Sequence, residues 1–158
     1  MIHKLRALTF VITMIFSFNS FGNESSFKTV QEFFAAISAV DHLKLKELVT
    51  ENFQLLDEGD IWDVDKIISV IQVSEEKRLN YFNLISTQNN GEMAWVSYWN
   101  MAKFSKGDDE YQIGWLESAV LVKKHQTWRI QMLHSTRLKI NQRPKNIVMN
   151  EYLSKQIY

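Results

Sequence analysis

The sequence predicts an α+β domain, an antiparallel four-strand meander plus a short N-terminal strand, packed against three N-terminal helices. Three observations carry this. Apolar residues up to Val73 recur mostly at helical spacing. From Leu79 onward they alternate, in runs rich in β-branched and aromatic side chains. Those runs are separated by hairpin signals, Asn90-Gly91 the strongest among them. Helices first and a meander afterwards place the helices on one face of the sheet.

The chain begins with Met1-Ile2-His3-Lys4-Leu5-Arg6, a short basic segment, and Ala7 to Phe18 follows as an apolar run. Ser20-Phe21-Gly22 then offers small residues at the −3 and −1 positions of a cleavage site. Residues 1–22 thus read as a cleaved secretory signal peptide, and the apolar run is short for a transmembrane helix. The expected address is secreted or periplasmic, with no membrane association after cleavage. The domain proper is expected over 23–140, followed by a tail over 141–158.

Without Lys4 and Arg6, the 18 basic residues fall to 16 against 18 acidic ones, and no basic patch survives. That argues against a nucleic-acid partner. An exported chain with no cysteine must hold itself together by packing, for which five tryptophans and the six phenylalanines after residue 22 supply material.

Ser25 or Ser26 caps the first helix, whose stripe is Val30, Phe33, Phe34, Ile37 and Val40. Asp41 caps a second, with Leu43, Leu45, Leu48 and Val49. Phe53 to Leu56 reads as a short strand, closed by the turn residues Asp57-Glu58-Gly59-Asp60. Val64, Ile67, Ile68 and Ile71 form the third helical stripe. The four strands are expected at about 79–87, 92–104, 111–123 and 127–140. Pro144 follows them, in a tail with helical character from Ile147.

Each turn sets a register. The Asn90-Gly91 turn pairs Ile85 with Val96 and Asn83 with Tyr98. A loop centred on Gly107-Asp108 pairs Tyr98 with Glu117. The break Lys124-His125-Gln126-Thr127 pairs Leu121 with Ile130, Ala119 with Met132, and Glu117 with His134. Chained together, these predict one polar row of Asn83, Tyr98, Glu117 and His134. Asn100 and Trp115 fall in the next row of the same face. The opposite face, including Phe82, Trp95, Trp99 and Leu116, is also apolar. A single-domain sheet with helices for one side leaves that second face uncovered, so it is expected to be covered by a second copy in a homodimer or by the C-terminal tail, with patch size favouring the dimer.

Three helices, a meander and a last strand of the form Trp128-Arg129-Ile130-x-x-x-His134-Ser135, preceded by the run Glu117 to Lys124, resemble the nuclear transport factor 2-like superfamily. Its SnoaL-like branch of small bacterial proteins is the most similar. The resemblance spans Phe27 to Leu138. It implies a strongly curved, cone-shaped sheet with a pocket between sheet and helices, and dimerisation through the sheet. Some members are isomerases, cyclases or dehydratases of hydrophobic small molecules; others bind ligands or mediate assembly. Isomerase members use a Tyr and acidic residues as oxyanion donor and base.

Placed in such a pocket, Glu117 would be a general base with a pKa raised by burial, His134 its partner or the acid, and Tyr98 an oxyanion donor. The expected ligand wall is Asn83, Tyr98, Asn100, Trp115, Glu117, Met132 and His134 from the sheet, with Phe33, Phe34 and Ile37 from the first helix. The competing reading is a closed structural network in which Glu117 and His134 satisfy each other. The expected partner is a small, largely apolar molecule, held with or without turnover, and no cofactor is implied. No metal is expected either, since Asp57, Glu58 and Asp60 lack calcium-loop spacing.

Overall fold

A computed structural model describes residues 25–153, so the expected signal peptide lies outside the described residues. The helices are α1 (Ser26–Ala39), α2 (His42–Leu48) and α3 (Val64–Val70). Each starts on a side-chain oxygen that accepts from the amide three residues on: Ser25 to Lys28 at 3.2 Å, Asp41 to Lys44 at 2.9 Å, Asp63 to Lys66 at 2.7 Å. Such caps contribute about 1 kcal/mol each, which matters most for two seven-residue helices. Val40, at φ 54°, ends α1 and lets the chain turn directly into α2.

The strands are β1 (Val49–Asp57), β2 (Asp60–Trp62), β3 (Lys77–Asn89), β4 (Met93–Lys106), β5 (Asp109–Lys124), β6 (Thr127–Leu138) and β7 (Asn150–Glu151). They form one curved, unclosed sheet in the order β2-β1-β6-β5-β4-β3-β7. The expected meander is β3 to β6. The short N-terminal strand is longer than expected and pairs parallel with β6 rather than antiparallel. The tail forms no helix at Ile147 to Leu153; it makes a 3-10 turn over Ile140–Gln142 and then adds β7 to the edge of β3.

Two irregularities decide which side chains face the helices. In the last hairpin, His125 and Gln126 both take positive φ, as a two-residue primed turn requires, and Leu121 pairs with Ile130 as expected. Beyond it the ladder shifts, with Val120 opposite Met132, so Gln131 is the extra residue of a bulge. Its side chain explains why the bulge persists: it accepts from Thr50 Oγ1 at 3.0 Å and donates to the Asn52 carbonyl at 3.1 Å, tying β6 to β1. A second shift, at Ile85, breaks the β3–β4 ladder.

Two corrections follow. Glu117 pairs with Ser135, and His134 pairs with Ser118. Asn83 pairs with Trp99, and Leu84 takes its expected place opposite Tyr98. The β4–β5 ladder runs without a shift, and Tyr98 lies opposite Glu117 there.

The core lies between α1 and the inner face, where Val30, Phe33, Phe34, Phe82, Tyr98, Val96, Ala119, Leu121, Ile130 and Leu133 are buried. Phe82 was expected on the outer face; at 2 % exposure it is core, edge-on to Phe27 at 6.0 Å. The outer face keeps Trp95 and Leu116 at 47 % and 38 % exposure, with Trp99 half-buried.

Candidate functional site

Alternation along three unbroken strand segments brings a small polar group into this core. Tyr98 and Asn100 come from β4, Glu117 from β5 and Ser135 from β6, and all four are buried. Ser135 Oγ donates to Glu117 Oε1 at 2.9 Å, and Asn100 Nδ2 donates to Glu117 Oε2 at 3.0 Å. Burial nevertheless dominates these bonds, and it pushes the Glu117 carboxyl up to about 7. The acid therefore stands near half-ionised at neutral pH.

Tyr98 is fully buried opposite Glu117, and its hydroxyl completes no hydrogen bond of acceptable geometry. It is still near enough that the carboxylate, after burial itself, raises the phenol well above its usual pKa. The phenol is thus a neutral donor throughout the ordinary pH range. Asn100 Oδ1 and Ser26 Oγ, the latter at the start of α1, are buried and unpartnered as well. Unsatisfied buried polar atoms are uncommon and costly, on the order of 1–3 kcal/mol each.

A positive charge approaches the group from β3. The Arg78 guanidinium lies 5.8 Å from the Phe34 ring and 5.5 Å from the Phe104 ring, and its Nε donates to Asn80 Oδ1 at 3.0 Å. Asn80 in turn donates to the Phe34 carbonyl and to Ser38 Oγ, fixing Arg78 to α1. Parts of Arg78 remain accessible, yet loss of water around the guanidinium lowers its pKa to about 10, opposed by the Glu117 charge.

Of the residues expected at the site, Tyr98, Asn100 and Glu117 are brought together. Trp115 sits on the same face, half-buried, directly across from Asn100. Phe33 and Phe34 are buried in the core, and Ile37 packs against it. Three residues are not at the site. His134 is exposed on the outer face, beside Ser118. Met132 pairs with Val120 on that same face. Asn83 donates to the Val148 carbonyl of the tail at 2.9 Å. A Glu117–His134 pair is therefore not formed, because the Gln131 bulge turns His134 outward.

Ser135, Arg78 and Asn80 were missed. Ser135 was hidden by the same bulge. Arg78 and Asn80 share a face with Phe82 by alternation, a signal masked by the charged run Glu75-Glu76-Lys77-Arg78, which reads as solvated.

Two surface cavities lie away from Glu117. One, of about 390 Å³, is bounded by Glu58, Ile113, Arg137, Leu138, Lys139 and Arg143, among others. The other, of about 540 Å³, is bounded by Asp60, Ile61, Trp62, Asp63 and Lys66. Among the described residues, no group of three His, Cys, Asp or Glu side chains is placed to hold a metal.

No protein-family model matches this sequence, and no curated protein does. Solved structures do match. The chain is similar to an NTF2-like protein from Cytophaga hutchinsonii, with TM-score 0.59 and 12 % identity over 71 % of this chain and 94 % of that one. It is similar to a ketosteroid isomerase-like protein from Erwinia carotovora atroseptica, with TM-score 0.56 and 13 % identity over 71 % and 92 %. It is also similar to the CaMKII hub of S. rosetta, with TM-score 0.58 and 16 % identity over 71 % and 93 %. The chain has the nuclear transport factor 2-like fold. At these identities the likeness concerns the fold.

Proposed function

We propose that this chain is an exported SnoaL-like domain that binds a small, largely apolar molecule inside the cone, beside Glu117. The observation carrying this reading is the Tyr98 hydroxyl, fully buried with the Glu117 carboxyl, held near its titration point, beside it and with Phe27 and Phe82 against its ring. A core that leaves Asn100 Oδ1 and Ser26 Oγ without partners, and Tyr98 Oη facing Glu117, is suited to a guest carrying one hydroxyl or carbonyl on an apolar body. Entry requires the first turn of α1, where Phe27 covers Tyr98 at a ring distance of 5.5 Å, to move aside. Export is inferred from the signal layout of residues 1–22.

An acid–base enzyme of the isomerase or dehydratase type is the second reading, favoured by the pairing of Tyr98 with Glu117. A carboxyl held near 7 gives up and takes back a proton at little cost, and a neutral phenol stabilises a developing oxyanion. His134 has no part in it, since it faces away. A homodimeric interaction module is the third, favoured by the exposed Trp95 and Leu116 on the outer face.

Cyclohexanone and cyclohexanol test the first reading, followed by the NMR resonances of the Tyr98 ring. Saturable binding that weakens at least tenfold in Tyr98→Phe is the expected result. Absence of saturable shifts, or equal binding by Tyr98→Phe, would remove its basis. Proton exchange at the ketone's α-carbon that disappears in Glu117→Gln would select the enzyme reading.

A further inference from the structure

The geometry points to a second binding site, for a small aliphatic carboxylate, in the 390 Å³ cavity where the tail returns across the end of β5 and β6. β6 ends in Arg137-Leu138, Lys139 follows it, and the 3-10 turn that comes next carries the chain back over β5. Lys139 and Gln142 close that turn, the Lys139 amide donating to Gln142 Oε1 at 3.1 Å and the Gln142 amide to the Lys139 carbonyl at 2.9 Å. Arg143 is thereby laid over Gly114, with its Nη2 donating to the Gln112 carbonyl at 2.6 Å.

Gly114 lets the guanidinium pack directly against the β5 backbone. A Cβ at that position would stand 3.1 Å from Arg143 Nε and 3.5 Å from Arg143 Cδ. Gly114 is not one of the positive-φ glycines, and a side chain there would push the guanidinium by a few tenths of an ångström. The guanidinium is thus held rigidly before any ligand arrives, which lowers the ordering cost of binding.

The cavity gathers Arg137, Lys139 and Arg143 against one carboxylate, Glu58 from the β1–β2 turn. Among the described residues, Lys139 and Arg143 form no ion pair with a carboxylate, while the charge of Arg137 acts on Asp57 at the end of β1. Arg143 Nε is in addition buried and without a partner. Ile113 and Leu138 supply apolar wall. A guanidinium matches the planar geometry of a carboxylate, and the walls match a short alkyl chain. Glu58 across the cavity disfavours a more highly charged head group such as a phosphate dianion. This site stands apart from Glu117 and does not depend on the reading given above for it.

Titration of the full-length chain with hexanoate, 1-hexanol and inorganic phosphate, followed by ¹H–¹⁵N spectra at low ionic strength, tests the inference. Hexanoate is expected to shift the Gly114 amide and the Arg143 Nε–H saturably, with the other two probes at least tenfold weaker. Arg143→Gln should weaken hexanoate at least tenfold. Equal binding of hexanol would reduce the site to an apolar hollow, and equal binding of phosphate to a generic cationic patch. Either result overturns the inference, as does hexanoate binding unchanged in Arg143→Gln. If a variant does not fold, the three-probe comparison on the wild-type chain decides alone.

Discussion

Ser135 Oγ donates to Glu117 Oε1 at 2.9 Å across the β5–β6 ladder, inside the apolar core. That bond opposes the burial that raises the carboxyl. Ser135→Ala should therefore raise Glu117 further above 7 and cost about 1–2 kcal/mol of stability. ¹³C NMR titration of the Glu117 carboxyl checks the first, and urea unfolding the second. His134→Ala is the control: from the outer face it should leave the Glu117 titration unmoved and change stability by less than about 0.5 kcal/mol.

Glu117 also makes stability depend on pH in a direction opposite to that of most paired carboxylates. Its folded pKa, about 7, lies above its ordinary 4.5, so between these values the folded chain binds a proton that the unfolded chain has lost. Stability from this group is complete below about 4.5, falls as pH rises, and is gone above about 7. The shift corresponds to about 3 kcal/mol. Urea midpoints measured from pH 4.5 to 8 should show the decline in the wild-type chain. In Glu117→Gln, where nothing titrates at this position, that part of the slope should vanish.

Tyr98→Phe should stabilise the chain. The substitution removes a buried hydroxyl whose geometry toward Glu117 is poor and leaves the ring contacts with Phe27 and Phe82 in place. Proximity of the hydroxyl to Glu117 offsets part of its cost, so a gain of about 1 kcal/mol is expected. Calorimetric melting of both chains measures it. A loss of stability instead would mean that the hydroxyl is already satisfied, and the binding proposal would lose the observation on which it rests.

Much of this arrangement was legible from the residues. Helical stripes, Ser and Asp caps and paired turn signals placed the three helices and the meander, since local periodicity and capping are short-range physics. The Gly107-Asp108 turn set Tyr98 opposite Glu117, because no irregularity intervenes between β4 and β5. The last hairpin was legible only as far as Leu121–Ile130. Past that point Gln131 slips the register by one residue, and its bonds to Thr50 and Asn52 are more than 75 positions away in sequence. Such a bulge depends on a partner strand that the hairpin does not contain. A one-residue slip sends His134 outward and Ser135 inward, so the acid's true neighbour was out of reach.

The outer face yields the final prediction. Trp95 and Leu116 stand exposed there, Trp99 is half-buried between them in the chain, and Met132 and Val120 extend the apolar surface across β5 and β6. The tail is anchored at Arg143 over Gly114 and at Val148 beside Asn83, and Trp95 keeps 47 % exposure. A second copy of the chain is the proposed cover. Sedimentation equilibrium of the wild-type chain should then show dimer in the micromolar range, on the order expected for a modest apolar interface. Trp95→Asp would bury a charge at the centre of that contact, and should weaken association at least tenfold without altering the Glu117 titration. A wild-type chain that stays monomeric at high concentration would mean the face serves no self-association, whatever the state of the inner site.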